Sequence, residues 1–331
     1  MVSLPIAFVS VLLFAPFIIK LLKRFQFGQV ISEDAPESHQ KKAGTPSMGG
    51  IIILIAIIIG VVSYISKYSN LIGEQNFQKT IPVFTLIAGF ALLGFIDDYL
   101  TIRPFKGIRG IASKPKSMIQ FLLAVGFVSW LGVIDPQLGF KIGSRVVFGG
   151  ILYKAAAVLF IVGMANFVNI TDGLDGLVTG LVPIAVIPLL FVNSNALAGS
   201  LMYAIIGACF AFLWFNCNPA KVFMGDTGSL ALGVALPAIA ILNHCEIVLL
   251  ISGLLFILDG LSSALQWAVF KYTRIKTGIG RRVFKKSPVH HHFELSGIPE
   301  QEIVVKAWIL QFIVSVIAIA VVGSFYSQSI F

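Results

Sequence analysis

Charge is what this sequence has least of. Asp, Glu, Lys and Arg make up 12% of its 331 residues, about half the ~25% of soluble domains. No long polar stretch remains in which a large soluble domain could fold, so that class is excluded. Cysteine is scarce as well. Cys209, Cys217 and Cys245 are odd in number and unpatterned, which argues against a disulfide framework or a cysteine zinc site. Nor is a cleavable leader expected: Met1–Lys20 is apolar but lacks a basic start and an Ala-x-Ala end, so it reads as a retained first span. Internal repeats, low-complexity runs and linkers are missing, and residues 1–331 read as one domain.

Apolar residues are abundant: 57% before glycine is counted, with mean hydropathy +0.93, where soluble chains reach only ~45–50% with glycine included. A membrane span takes about 20 apolar residues, and on that measure about ten are expected. They are Leu4–Leu22, Met48–Ser66, Ile81–Ile96, Ser117–Ile134, Ile151–Asn169, Leu177–Val192, Ser200–Phe215, Ser229–Leu242, Ile247–Phe270 and Ile303–Ser324. The expected fold is therefore all-α, a polytopic integral membrane bundle of about ten transmembrane helices.

The net charge of +9 is first a topology signal. Eighteen of the 24 Lys and Arg fall in loops on one side of these spans. The other side holds Lys67, Lys79, Lys141, Arg145 and Lys154, and Lys306 lies in the last span. Positive loops stay cytoplasmic, so the rich side is cytoplasmic and both termini face outward. Basic residues scattered between spans do not suggest a nucleic-acid partner. The outer loops, Lys67–Thr80 and Asp135–Gly150, are short and carry no evident chemistry.

The unusual polar clusters fall on the cytoplasmic side. One is Asn166–Leu177, at the end of an apolar run, where polar groups are expensive and need a reason. Asn166, Asn169, Asp172 and Asp175 recur every three residues. On a continuous helix that spacing drifts about 60° per step, so the four cannot share a face. Gly173 and Gly176 predict that the helix ends near Asn169 and the chain turns. A polar helix–helix contact is the plainer reading of the same residues.

Four other clusters join it. Lys41-Lys42-Ala-Gly-Thr45-Pro-Ser-Met-Gly-Gly50 leads into a helix start, where backbone N–H groups and lysine suit a phosphate; an ordinary basic loop looks the same. Asp97 and Asp98 end a span. Adjacent carboxylates resist joint ionisation unless a cation neutralises them, and Mg²⁺ is the usual partner of carboxylates that handle phosphates. Lys114 and Lys116 follow. Asn216 through Ser229 contains Phe223-Met-Gly225-Asp226-Thr-Gly-Ser229, with Asp226 just before a new span; helix capping is the alternative. His290, His291 and His292 are consecutive, so on a helix they point ~100° apart and cannot share one metal. Asp259 stands alone inside the ninth span, where an acid is a functional candidate or a bond to a neighbouring helix.

Taken together, Asp97-Asp98, Asn166-x-x-Asn169-x-x-Asp172-Gly-Leu-Asp175-Gly and Phe223-Met-Gly-Asp226-Thr-Gly-Ser resemble the polyprenyl-phosphate N-acetylhexosamine-1-phosphate transferase superfamily. The Lys41–Gly50 and Val289–Glu294 stretches favour its muramoyl-pentapeptide branch over the N-acetylglucosamine branch. One departure stands out. The superfamily usually has Leu-Ser-Ala-Arg before its loop lysine, and this chain has Ile111-Ala112-Ser113-Lys114. Lys116 aligns with the functional lysine.

The resemblance implies a ninth helix that breaks and leans into lipid, a homodimer in the bacterial inner membrane, and Mg²⁺ held by Asp226 with Asp98 assisting. It implies UDP-N-acetylmuramoyl-pentapeptide and undecaprenyl phosphate as substrates, lipid I and UMP as products, and an active site in a cytoplasmic-side cleft. It places Asp97, Asp98, Asp226 and Lys116 in catalysis. Lys41, Thr45, Asn166, Asn169, Asp172, Asp175, Asn216, Phe223, Gly225, His290, His291 and His292 would bind substrate, with Phe223 stacking on uracil. An acceptor phosphate with a second pKa of about 6 is mostly a dianion at neutral pH. Charge neutralisation and positioning should therefore supply most of the rate. Asp97 is the expected acceptor of any residual proton, and a covalent aspartyl route is the competing scheme. The rival substrate is UDP-N-acetylglucosamine. The rival class, an ion-coupled transporter, predicts polar residues at mid-depth and access from both sides.

Overall fold

The structure is a computed structural model describing residues 1–25, 42, 44–104, 107, 109–142 and 145–325. Twelve helices and one hairpin are described: α1 Ser3–Arg24, α2 Gly50–Tyr68, α3 Glu74–Ile102, α4 Ser113–Ile134, β1 Gly139–Ile142, β2 Arg145–Gly149, α5 Gly150–Thr171, α6 Leu177–Phe191, α7 Ala196–Asn216, α8 Gly225–Leu242, α9 Glu246–Ser252, α10 Leu254–Thr277, α11 Val289–Glu294 and α12 Glu300–Phe325. Among the described residues nine helices are long and apolar enough to cross a membrane, and the apolar α6 is shorter. With α6 they match the ten expected spans. The ninth span is broken at Gly253 into α9 and α10, as the resemblance implied.

α8 is the axis of the bundle. Every residue from Thr227 to Leu242 is buried, as expected of a helix apolar on all sides. It packs on α2, α3, α5, α6 and α9. Because α3 and α5 end where α8 begins, the polar ends of three helices meet at one end of the bundle. α7 starts with a side-chain cap: Asn195 Oδ1 accepts the N–H groups of Leu197 and Ala198 at 3.0 and 3.1 Å, which satisfies two of the orphan donors of a helix start.

The opposite end corrects the expectation of a bland surface. The strands Gly139–Ile142 and Arg145–Gly149 pair antiparallel, with Phe140 opposite Phe148. Beside it Asp135 Oδ2 lies 3.3 Å from both Lys79 Nζ and His244 Nε2, and Lys141 Nζ is 3.0 Å from His244 Nε2. Burial, with Lys141 beside it, holds the His244 imidazole below its ordinary value. Burial would raise Asp135, but the charges of Lys79, His244 and Lys141 outweigh it and hold this carboxyl low. Both groups bind fewer protons folded than unfolded. Their stabilisation is present at neutral pH and is lost on acidification, His244 first, below 6.5, and Asp135 below 3.8. A His244→Gln protein should therefore lose less thermal stability than wild type between about pH 7 and pH 5. Equal losses in a detergent melting series would contradict this.

Candidate active site

The cleft is a cavity of about 360 Å³ at the end where α3, α5 and α7 finish and α2, α4, α6, α8 and α12 begin. Asp97, Asp98, Asn169, Asp172, Asp175, Asn216, Phe223, Gly225, Asp226 and His291 line it, together with Lys42 and Ser47.

Its core is built on Asp226, in the first turn of α8. Asn169 Nδ2, near the end of α5, donates to Asp226 Oδ1 at 2.9 Å and to Ser229 Oγ at 2.8 Å. Lys116, in the first turn of α4, donates to Asp226 Oδ2 and sits 3.4 Å from Asp97 Oδ2. The shift in the Ile111–Lys114 motif leaves this register intact: Lys114 is exposed and Lys116 reaches the cleft. Asp97 Oδ1 accepts the Ile111 N–H at 2.8 Å. One lysine thus bridges two carboxylates from distant parts of the chain.

Asp98 has a different task from its neighbour. Its two oxygens accept the N–H groups of Asp226 (3.0 Å) and Thr227 (2.9 Å) and the Thr227 hydroxyl (2.6 Å). A carboxylate from α3 therefore caps α8, which suits the positive end of a helix. Asp226 does not cap its own helix. Gly225 makes the fit possible: its φ is +71°, and a Cβ there would lie 2.6 Å from Asp98 Oδ2.

The Asp172 carboxylate has no hydrogen-bond or ion-pair partner among the described residues and opens on the cleft. Burial, then the charges of Asp226, Asp98 and Asp175, push its carboxyl up to about 8. Among the described residues no three acidic, His or Cys groups make a ready metal cage. Mg²⁺ keeps waters and substrate phosphates and takes only one or two protein carboxylates. Asp226, with the unpaired Asp172 carboxylate lining the same cleft, fits such an ion.

A second network closes the far side. Lys42 Nζ lies 2.7 Å from Asp175 Oδ1 and 2.6 Å from Glu300 Oε1. Asp175 Oδ2 accepts the Ala220 N–H at 3.0 Å and Asn218 Nδ2 at 3.2 Å. Glu300 Oε1 also accepts the Asp175 N–H at 2.8 Å. Asn216 Oδ1 accepts the Thr179 hydroxyl at 2.6 Å, and its Nδ2 donates to Val222 O at 3.0 Å. Glu300 was not foreseen; an acid in a helix's first turn looks like an ordinary dipole partner. A Glu300→Gln protein should raise KM for the expected nucleotide donor several-fold with little change in kcat, since it removes one of the two carboxylates that hold Lys42 without touching Asp226. Donor titrations at saturating acceptor read this.

Some expected residues lie elsewhere. α5 continues to Thr171, two residues past the expected end. Asn166 lies within the helix, where its Nδ2 donates to Gln120 Oε1 of α4 at 2.8 Å; it is a helix–helix contact outside the cleft lining. Thr45 is also outside the lining and Ser47 is within it. Lys41 lies outside the described residues. His290, His291 and His292 diverge as helical geometry requires. His291 faces the cleft, His290 is buried against α10, and His292 accepts the Lys285 N–H at 3.2 Å.

The backbone explains why the Thr45–Gly50 turn matters. Phe223 N–H donates to Pro46 O, Gly49 N–H to Phe223 O and Gly50 N–H to Met224 O, each at 2.8 Å. This turn falls in residues 42–54, which match a phospho-N-acetylmuramoyl-pentapeptide-transferase signature. Residues 80–244, from α3 past the end of α8, match the glycosyl transferase family 4 model. The phospho-N-acetylmuramoyl-pentapeptide-transferase of Staphylococcus carnosus is 41% identical, over 95% of this chain and 96% of that protein. Those of Bacillus pumilus and Thermodesulfovibrio yellowstonii are 42% and 37% identical, covering 94% and 96% of this chain and 94% and 91% of theirs. The chain belongs to the phospho-N-acetylmuramoyl-pentapeptide-transferase family. In this member the family's signature turn is hung on the backbone that carries Phe223 and leads into Asp226. The motifs read from the sequence pointed to the same branch.

Proposed function

We propose that the chain transfers phospho-N-acetylmuramoyl-pentapeptide from its UDP-linked donor to undecaprenyl phosphate, giving lipid I and UMP. The observation that carries this is the bridge Asp97–Lys116–Asp226, closed from behind by Asp98, in a cleft at the end of an apolar bundle. The family signature at residues 42–54 favours this donor over UDP-N-acetylglucosamine. The excess of Lys and Arg in the loops at the cleft end supports a multi-pass protein of the bacterial inner membrane with its cleft facing the cytoplasm. A homodimer, implied by the family resemblance, belongs to the same proposal.

An oxygen of the acceptor phosphate attacks the sugar-side phosphorus of the donor diphosphate, and the bond to the UMP oxygen breaks. Two polyanions must meet, so positioning and charge neutralisation dominate. Asp226 would hold Mg²⁺, with Asp172 and Asp97 facing the same space; when bound, the ion neutralises the diphosphate and the departing UMP. Asp98 keeps Asp226 aimed by fixing the start of α8. Lys116 turns from its carboxylates toward the incoming phosphate. Asp97 accepts a residual proton from the acceptor. Phe223 and the Lys42–Asp175 network lie at the nucleoside end, and His291 lies toward the sugar phosphate.

The test is UMP release from each UDP-sugar with undecaprenyl phosphate, with and without Mg²⁺. Release from the muramoyl-pentapeptide donor alone, abolished by EDTA, is expected. Equal release from UDP-N-acetylglucosamine would contradict the donor assignment. Phospho-enzyme formed without acceptor would replace direct attack by the covalent route.

A further inference from the structure

Asp259 is the acid inside the ninth span that the scheme above leaves unused. It is 6% exposed, in α10, and its Oδ2 lies 2.7 Å from His290 Nδ1. One turn on, Ser262 Oγ accepts the Val289 N–H at 2.9 Å. α11 is thus tied to α10 at its first two residues. His290 is 4% exposed, yet its Nε2 has no hydrogen-bond partner among the described residues. A buried imidazole nitrogen left without a partner is costly, which points to a ligand.

The surroundings indicate which ligand. The ring stands against the turn at Gly173, where a Cβ would lie 2.4 Å from Nε2. His290 also lines an apolar cavity of about 1000 Å³ between α5, α6, α10, α11 and α12, walled by Leu181, Leu258, Phe293 and Leu310. The next residue, His291, lines the polar cleft, with the two rings 4.3 Å apart. His290 therefore occupies the partition between an apolar chamber and the transfer site. A molecule with an apolar chain and a phosphate head must cross there.

We infer that Asp259 is a positioning residue that fixes His290 with Nδ1–H donated to its carboxylate and so presents Nε2 to the phosphate of the lipid acceptor. A carboxylate behind an imidazole fixes its tautomer and orientation. Nε2 then hydrogen-bonds the phosphate head, and no covalent bond changes. The charged and titratable groups beside the ring or lining its chamber are Asp259 on α10, His291 on α11 and Lys306 on α12. This inference rests on the proposed transfer reaction.

Asp259→Asn keeps an oxygen for Nδ1–H and removes the charge. In detergent, with the full chain, kcat/KM for undecaprenyl phosphate should fall about 10–100-fold, the scale of losing a group that orients a functional histidine. KM for the UDP-linked donor should stay within about twofold. Ser262→Ala, which loosens the same joint but leaves the Asp259–His290 bond, should keep most of the acceptor kcat/KM. His290→Gln should show the same acceptor-specific loss, and adding Asp259→Asn to it should cost nothing more. Wild-type acceptor kinetics in Asp259→Asn, multiplicative losses in the double variant, or a donor-specific defect in His290→Gln would each overturn the inference. If Asp259→Asn fails to fold, His290→Gln alone decides. Wild-type protein that releases no UMP would instead sink the transfer reaction itself.

Discussion

An Asp226→Asn protein is expected to stay folded in detergent and to release UMP about a thousandfold more slowly than wild type, the scale of removing a main electrostatic stabiliser. The amide has the shape of the carboxylate and keeps an oxygen for Asn169 Nδ2, now 2.9 Å away, so packing survives. What goes is the charge that pairs with Lys116 and would hold the divalent ion. The defect should be in kcat, and raised Mg²⁺ should restore little. Near-normal turnover would remove Asp226 from the chemistry.

Asp98→Ala should behave differently, although Asp98 is also a carboxylate at the cleft. Its removal strands the N–H groups of Asp226 and Thr227 and the Thr227 hydroxyl. Each buried donor left unpaired costs about 1–3 kcal/mol. Both stability and turnover should fall, with a clearly lower melting temperature than Asp226→Asn. Asp98→Asn, which keeps one acceptor oxygen, should lie between. If Asp98 bound the ion directly instead, Asp98→Asn would match Asp226→Asn in both readouts and melt like wild type.

The two carboxylates show what the sequence could and could not convey. Acids and amides at the ends of apolar runs carry their own signal, because such groups are expensive there. Asp97, Asp98, Asn169, Asp172 and Asp226 were all legible for that reason, and so was the number of spans. The division of labour was not. Asp98 was expected beside the metal, and only the packing of α3 against the start of α8 reveals it as a cap. Asn166 and Asn169 were both expected at the substrate, yet the drift of a three-residue step on one helix turns Asn166 to Gln120 of α4 and Asn169 to Asp226. Glu300 was invisible because its partners, Lys42 and Asp175, lie far away in sequence. The strands 139–142 and 145–149 did leave a trace: they are short runs with β-branched and aromatic residues on either side of Gly143-Ser144.

One measurement reaches the central claim most directly: anomalous scattering from crystals of the protein with UMP and Mn²⁺ in place of Mg²⁺. The account predicts a single strong peak beside Asp226, in the space shared with Asp97 and Asp172. A peak bound elsewhere, or none at this carboxylate in protein that Mn²⁺ activates, would contradict it.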